Sequence, residues 1–425
     1  MKNFSNLKKF YDELSTLIYS TDFIQRNKAE KSCFTRNRKI SFQDIIFFIL
    51  SLPQLSLPNA LAEFFPNKLN PILPAFTKQA FSKARNKVLS SAFRELFYKS
   101  TEVKKFYKTY PTWNRFHILA IDGTFLQVPD TLRCRKHFGV SRNQFRSMPQ
   151  PKVSALYDIS RDLIIDVQID KKSTSEKNQC EQLMKRFYED DLNHEKHNSI
   201  ILFDRGYPGR EMFHFISQYN GFFVMRTTTI GNGVIKEITS CEMGDHIINY
   251  KWEKKVCHLR VLKFQINENT IETLVTNVFD SKISLEEFKK LYSMRWGIET
   301  KYRELKSYLL LENFCGITPN AVEQEIYATL FMANMGSVLK TYADIEIKKE
   351  RQKKWEYCAN RKQLLGNLAK NMKMLLQKTR KKSGILKNLL EAAIKNRSQK
   401  RPDRHCERKL TLNRRKFHVT RKRTI

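Results

Sequence analysis

YSMRWGIETKYRELKSYLLL, residues 292 to 311, predicts a helix with two unlike faces. At about 100° per residue, Arg295 lies about 60° behind Tyr292, Glu299 about 20° behind and Lys306 about 40° behind. Four polar side chains therefore share one narrow stripe. Leu291, Met294, Ile298, Leu305 and Leu309 fall on the opposite side, which gives the helix one buried face and one face for a charged partner. A solvated face with an Arg295–Glu299 pair would show the same period. Trp296 favours the partner, because an indole about 40° from Tyr292 on the polar side needs something to cover it.

Upstream of this segment the pattern is that of strands. HILAIDGTF (117 to 125), VSALYDI (153 to 159) and LIIDVQI (163 to 169) are short apolar runs rich in β-branched residues. A helix fits Ser173 to Tyr188. A fourth strand, SIILFD (199 to 204), is followed by a helix opening near Pro208, and GFFVMR (221 to 226) supplies a fifth strand. Strands and helices in this order predict a mixed sheet covered by helices, an α/β core. Between 227 and 284, runs such as KVCHLRVLKF and TIETLVTNVF predict a β-rich insertion. Helical spacing returns at Ser284, with Glu287 three residues on as a capping box.

Two aspartates stand at strand ends. Asp122 closes the run ILAI and is followed by Gly123 and Thr124; Asp204 closes IILF and is followed by Arg205, Gly206 and Tyr207. Each alone fits a turn residue.

The spacing Y-x2-R-x3-E-x6-K, filled by Tyr292, Arg295, Glu299 and Lys306, resembles the YREK signature of the DDE transposases of the insertion-sequence four group. Asp122 in IDGT and Asp204 in FDRGY match that family's two aspartates, and the likeness spans roughly residues 77 to 340. The resemblance implies a ribonuclease H-like core with the catalytic glutamate on a helix after a β-rich insertion. It also implies that Asp122, Asp204 and Glu299 hold two Mg²⁺ ions, with Mn²⁺ as a substitute. Arg295 and Lys306 would bind phosphates near the cut, with Arg303 beside them, and Tyr292 would hydrogen-bond a phosphate. Trp296 would stack on a flipped base in a hairpin intermediate. Cut-and-paste transposition at terminal inverted repeats, on double-stranded DNA ends and target, is expected from that family, with a homodimer in the synaptic complex. An inactive DNA-binding repressor, and a ribonuclease H-like nuclease without strand transfer, remain as alternatives.

Bulk composition agrees with a nucleic-acid partner. The 425 residues carry 77 Lys and Arg against 43 Asp and Glu, a formal net charge of +34, and contact with phosphates relieves that self-repulsion by releasing counterions. The amino terminus, MKNFSNLKKFYDEL, has no apolar core before a cleavage site, and no apolar run reaches the roughly 20 residues of a membrane span. A bacterial cytoplasmic location without a membrane partner is expected. The eight cysteines include no CxxC pair and predict ordinary thiols, and His194 and His197 read as part of a solvated loop.

Residues 1 to 100 alternate helical patterns with proline breaks and predict a helical DNA-binding domain. Within it, Thr77 caps one helix running to Phe97 that offers Lys83 and Arg85 to DNA, a solvated helix face being the other reading. The core then spans 101–226 and 285–345, separated by the insertion at 227–284. A basic helical region, 346–425, ends in a tail with thirteen Lys or Arg and two acidic residues from Lys395 onward, a composition that predicts a flexible segment or one that folds on DNA.

Overall fold

A computed structural model describes residues 2–36, 38–106, 110–144, 146–191, 193–268, 270–349 and 355–400. The basic tail from 401 onward lies outside the described residues. The chain divides into two compact units, one drawn from the described residues of 1–108, 126–151 and 303–400, the other from 109–125 and 152–302.

The second unit is built on an eight-stranded sheet. Its strands are β1 (His117–Phe125), β2 (Lys152–Asp158), β3 (Leu163–Asp170), β4 (Ser199–Phe203), β5 (Phe222–Arg226), β6 (Gly244–Trp252), β7 (Lys255–Asn267) and β8 (Thr270–Thr276). Their order across the sheet is β3-β2-β1-β4-β5-β8-β7-β6. β1 pairs antiparallel with β2, and β2 with β3, while β4 and β5 run parallel to β1. That five-strand order and polarity are those of a ribonuclease H-like sheet, so the α/β core expected from the strand pattern is present.

Burial explains the sequence pattern of the central strands. All five residues of β4 are buried, as are the first five of β1, so both faces are covered and the runs read as continuously apolar. The helices Glu176–Glu189, Arg210–Gln218 and Val234–Ser240 cover one face. Leu183, Met184, Phe213 and Ile238 from these helices pack there with Ile121, Ile201 and Phe223 of the sheet. The β-rich stretch extends the same sheet: β8 pairs antiparallel with β5, and β7 and β6 lie beyond it. In β6 the burial alternates residue by residue, as expected where one face meets solvent.

The first unit is helical and packs around Pro319–Lys349, whose residues 321–339 are nearly all buried. A helix that is apolar all round belongs in a core. Phe42–Leu50, started by a capping box between Ser41 and Asp44, is buried beside it within this unit. Among the described residues no helix is long and apolar enough to cross a membrane.

Two helices expected to be continuous are broken. The helix capped by Thr77 spans only Lys78–Arg85, and a second begins at Ser90. Between them Val88 bridges to Lys28 and its carbonyl accepts from Gln324 and Asn320, bonds that straight helical hydrogen bonding would not leave free. The segment from Tyr292 is likewise split, into Leu285–Ser293 and Trp296–Ser307.

Candidate active site

Parallel pairing fixes the two aspartates beside each other. The last register pair of β1 and β4 is Ala120 with Leu202, and Asp122 and Asp204 each stand two residues further on. Alternation along a strand puts each on the same face as its partner in that pair. Both carboxylates therefore stand just past the end of the β1–β4 ladder and leave it in one direction; the strand end expected at Asp122 is corrected, because β1 runs on to Phe125 in register with β2.

Asp122 is half-buried. Burial pushes its carboxyl up to about 6; the Gly123 N–H and Arg295 oppose that rise, while Glu176 and Glu299 add to it. Its Oδ1 accepts from the Gly123 N–H at 2.9 Å. Asp204 keeps one buried oxygen, Oδ1, with no hydrogen-bond partner among the described residues, which costs free energy unless something else fills it.

Glu299 reaches this pair by a route different from the expected one. Instead of a straight helix, Met294 and Arg295 form a tight turn in which Arg295 N donates to Tyr292 O at 3.0 Å and Gly297 N to Met294 O at 2.9 Å. These three-residue steps rotate the downstream helix and dissolve the single polar stripe. Tyr292 turns inward, 4% exposed, and its hydroxyl donates to the Phe203 carbonyl at 3.2 Å, beside Asp204. The expectation that this hydroxyl faces a phosphate is therefore corrected: it anchors the helix to the end of β4.

Arg295 is also displaced from the outward stripe, being 1% exposed. Its Nη2 donates to Glu299 Oε1 at 2.8 Å and lies 3.9 Å from Asp204 Oδ2. Its Nε and Nη1 have no hydrogen-bond partner among the described residues. The guanidinium also lies over the rings of Tyr292 and Trp296, at 5.8 and 5.3 Å. Trp296 itself is 44% exposed, as is Met294 at 40%, the latter a correction to its expected place on the apolar side.

Two residues that sequence reading passed over complete the site. Tyr302, three residues beyond Glu299 on one helix, donates its hydroxyl to the Asp122 carbonyl at 2.7 Å, tying the glutamate's helix to β1. Glu176, first in its helix, accepts from the Tyr207 hydroxyl at 2.8 Å. A Cβ on Gly123 would stand 2.8 Å from Glu176 Oε1, so glycine beside Asp122 makes room for a fourth carboxylate.

The remaining expected site residues belong to the helical unit. Arg303 is exposed, and Lys306 lies 3.8 Å from Glu312. Lys83 is exposed. Arg85 is 4% exposed, its guanidinium donating to Gln324, Glu325 and the Ala321 carbonyl. The expected role of Arg85 in DNA contact is thus corrected: the break after Arg85 swings it inward as a strut for the Pro319–Lys349 helix.

Asp122, Asp204 and Glu299 are neighbours rather than a formed cage. Among the described residues no three His, Cys, Asp or Glu side chains are gathered closely enough to hold a metal ion, and the Arg295 guanidinium supplies the positive charge between Asp204 and Glu299. The donor set nonetheless fits a hard divalent cation: three carboxylates, one with an unfilled buried oxygen and one desolvated among like charges.

The family described as transposase DDE domain matches residues 113–335, more than half of the chain. The chain belongs to the transposase DDE family. Asp122, Asp204 and the Glu299 helix fall inside that match. Among transposases, the chain is similar to the transposase InsG for insertion sequence element IS4 of Escherichia coli (strain K12), with 23% identity over 336 residues, 74% of this chain and 73% of the relative. A cryo-EM structure of the piggyBac transposase synaptic complex with hairpin DNA shares 12% identity, covering 91% of this chain and 84% of that chain with a TM-score of 0.49. Transposases of this DDE family use divalent metal ions, in keeping with the carboxylate donor set.

Proposed function

We propose that this DDE transposase cuts and rejoins the ends of an insertion sequence of the IS4 group, with Asp122, Asp204 and Glu299 as the catalytic carboxylates. The observation that carries the reading is the parallel register that sets Asp122 and Asp204 side by side, with Glu299 joined to them through Arg295 and Tyr302. The three carboxylates would hold Mg²⁺, or Mn²⁺ in its place, as two ions. Such ions activate the attacking oxygen and stabilise the leaving oxygen of a phosphodiester.

The chain's own residues prepare that chemistry. Asp122, desolvated and crowded by Glu176 and Glu299, gains most from a cation because a neighbouring positive charge offsets its burial. Arg295 acts as a positioning residue that aims Glu299. Its Nε and Nη1, buried and without a partner among the described residues, would serve a phosphate near the cut once the guanidinium turns outward, as a planar guanidinium serves two acceptors. Trp296, exposed beside Arg295, offers a face on which an unpaired base can stack in a hairpin intermediate. Arg303 and Lys306 supply further cations for the DNA backbone. Double-stranded transposon ends and target are the substrates, and two protomers are needed because two ends must be joined together. Residues 1–100 would bind DNA and 346–425 form a basic extension, all in a bacterial cytoplasm; of the expected core, 101–226 and 285–345 around the 227–284 insertion, the catalytic part would be 109–125 and 152–302, since 126–151 and 303–345 belong to the helical unit.

The test pairs binding with cleavage. Asp122→Ala should retain binding to duplexes bearing the element's inverted repeats and lose Mg²⁺-dependent cutting. Cleavage that survives the substitution overturns the assignment. Wild-type binding without cutting in Mg²⁺ would identify a repressor, and cutting without joining to a target a nuclease.

A further inference from the structure

The helical unit contains a cleft of about 860 Å³ between residues 30–36 and 38–40 on one side and the Lys78–Arg85 helix on the other. Phe34, Ile40, Phe76, Ala80 and Ala84 form its apolar lining, and Arg36, Arg38, Lys39, Lys83 and Lys87 its charge. The single carboxylate on its wall, Glu30, accepts from the Ser32 hydroxyl at 3.3 Å. None of the five cations has an ion-pair partner among the described residues. Elsewhere in the same unit basic side chains do find carboxylates: Arg85 with Glu325, Arg26 with Glu95, Arg361 with Glu304.

Five like charges around one concave surface repel one another and raise the local potential, so an unoccupied cleft carries a cost that a polyanion removes. Arg36, Arg38, Lys39 and Lys83 are exposed, which lets their side chains reach outward. Besides the cations and Glu30, the polar side chains on the wall are Ser32, Thr35 and Asn86, and the Ser32 and Thr35 hydroxyls donate to Glu30 and to the Ser32 carbonyl, whereas flexible cations on a rim suit phosphates.

We propose that this cleft grips the sugar-phosphate backbone of double-stranded DNA, without reading its sequence. The inference rests on the transposase reading for the presence of DNA and adds the place where the helical unit holds it. Arg85, close to Lys83 on the same short helix, braces the wall from within by its bonds to Gln324 and Glu325.

The test is the salt dependence of binding to a duplex of about 30 base pairs of arbitrary sequence. Each lost phosphate contact reduces the slope of log K against log salt by about 0.9. The triple variant Arg36→Gln, Arg38→Gln, Lys83→Gln should lower that slope by about two to three and weaken binding at least about tenfold near 0.1 M salt. Its thermal unfolding should match wild type, since all three side chains are exposed. A control with Lys251→Gln, Lys254→Gln and Lys255→Gln, exposed cations of the sheet unit, removes the same charge and should change the slope by less than one. Equal slopes in wild type and the cleft variant, where wild type binds DNA, overturn the cleft assignment and leave the transposase reading standing. A wild-type chain that binds no duplex overturns both. Retention on anionic lipid vesicles in place of the duplex, lost in the cleft variant, would assign the cleft to a membrane surface and overturn the DNA proposal.

Discussion

The end of the β1–β4 ladder and the turn between the two helices carrying Tyr292 and Glu299 frame the proposed site but are held by different forces. At the strand ends the backbone does the work: parallel hydrogen bonds fix Asp122 and Asp204 two residues past a paired Ala120 and Leu202. At the helical turn, side chains do it, since Glu299 is held by the Arg295 guanidinium and its helix by the Tyr302 hydroxyl on the Asp122 carbonyl. A position set by a sheet ladder resists single substitutions, whereas one set by an ion pair moves when either partner changes. The two aspartates are thus the fixed part of the site and Glu299 the adjustable part.

Removing a carboxylate from either region should have the largest effect. Asp204→Ala and Glu299→Ala are each expected to lower the rate of metal-dependent strand cleavage by on the order of 10³-fold or more, the several kcal/mol that metal-assisted charge stabilisation supplies. Single-turnover cleavage of an end duplex measures this. A Glu299→Ala variant that keeps most of its rate would reduce the helical turn to a structural feature.

Next in size is a stability change confined to the strand ends. The Asp122 carboxyl is raised by burial to about 6, so the folded state holds that proton more tightly than the unfolded chain. Its ionisation therefore destabilises the metal-free fold: the cost is absent below about pH 4, grows as pH rises and is complete above about pH 6. Asp122→Asn should raise metal-free stability by about 2–3 kcal/mol above pH 7 and leave it unchanged below pH 4. Denaturant unfolding at both pH values checks the sign; equal effects at the two would show that ionisation is not the cause.

Arg295→Gln tests the helical turn. Loss of a charged hydrogen bond to Glu299 and of the guanidinium beside Asp204 should cost roughly 1–3 kcal/mol of stability. It should also reduce cleavage more than duplex binding, with Arg295→Lys restoring charge but not the fork. If binding and cleavage fall together, the phosphate contact and not the aim of Glu299 is the main work of Arg295. The smallest effect belongs to Tyr302→Phe, which deletes one buried hydrogen bond and should cost about 1 kcal/mol, with a rate loss that does not depend on duplex concentration.

Legibility in the sequence divides along the same line. β1 and β4 can be read because strands buried on both faces become unbroken apolar runs, and a carboxylate ending such a run stands out. The capping box at Ser284 and Glu287 is legible for a similar local reason, and both of its hydrogen bonds are present. The turn at Met294 and Arg295 is not legible, because neither residue breaks helices and the apolar spacing continues across it. The bend there has a tertiary cause: Tyr292 bonding to the Phe203 carbonyl and Arg295 reaching Asp204. Arg85 misleads in the same way, its spacing fitting a solvated face until the break after it turns the side chain toward Glu325. Glu176 leaves no trace in its own segment, since it reaches Asp122 only when the sheet folds and Gly123 leaves it room.

Binding of Mn²⁺ to the full chain, measured by calorimetry near neutral pH, tests the joint site most directly. Wild type should take up the ion, and Asp122→Ala, Asp204→Ala and Glu299→Ala should each weaken uptake at least about tenfold, since each removes a charged oxygen donor. Undiminished Mn²⁺ binding in Glu299→Ala, with the two aspartate variants impaired, would contradict the claim that strand ends and helical turn form one metal-holding site.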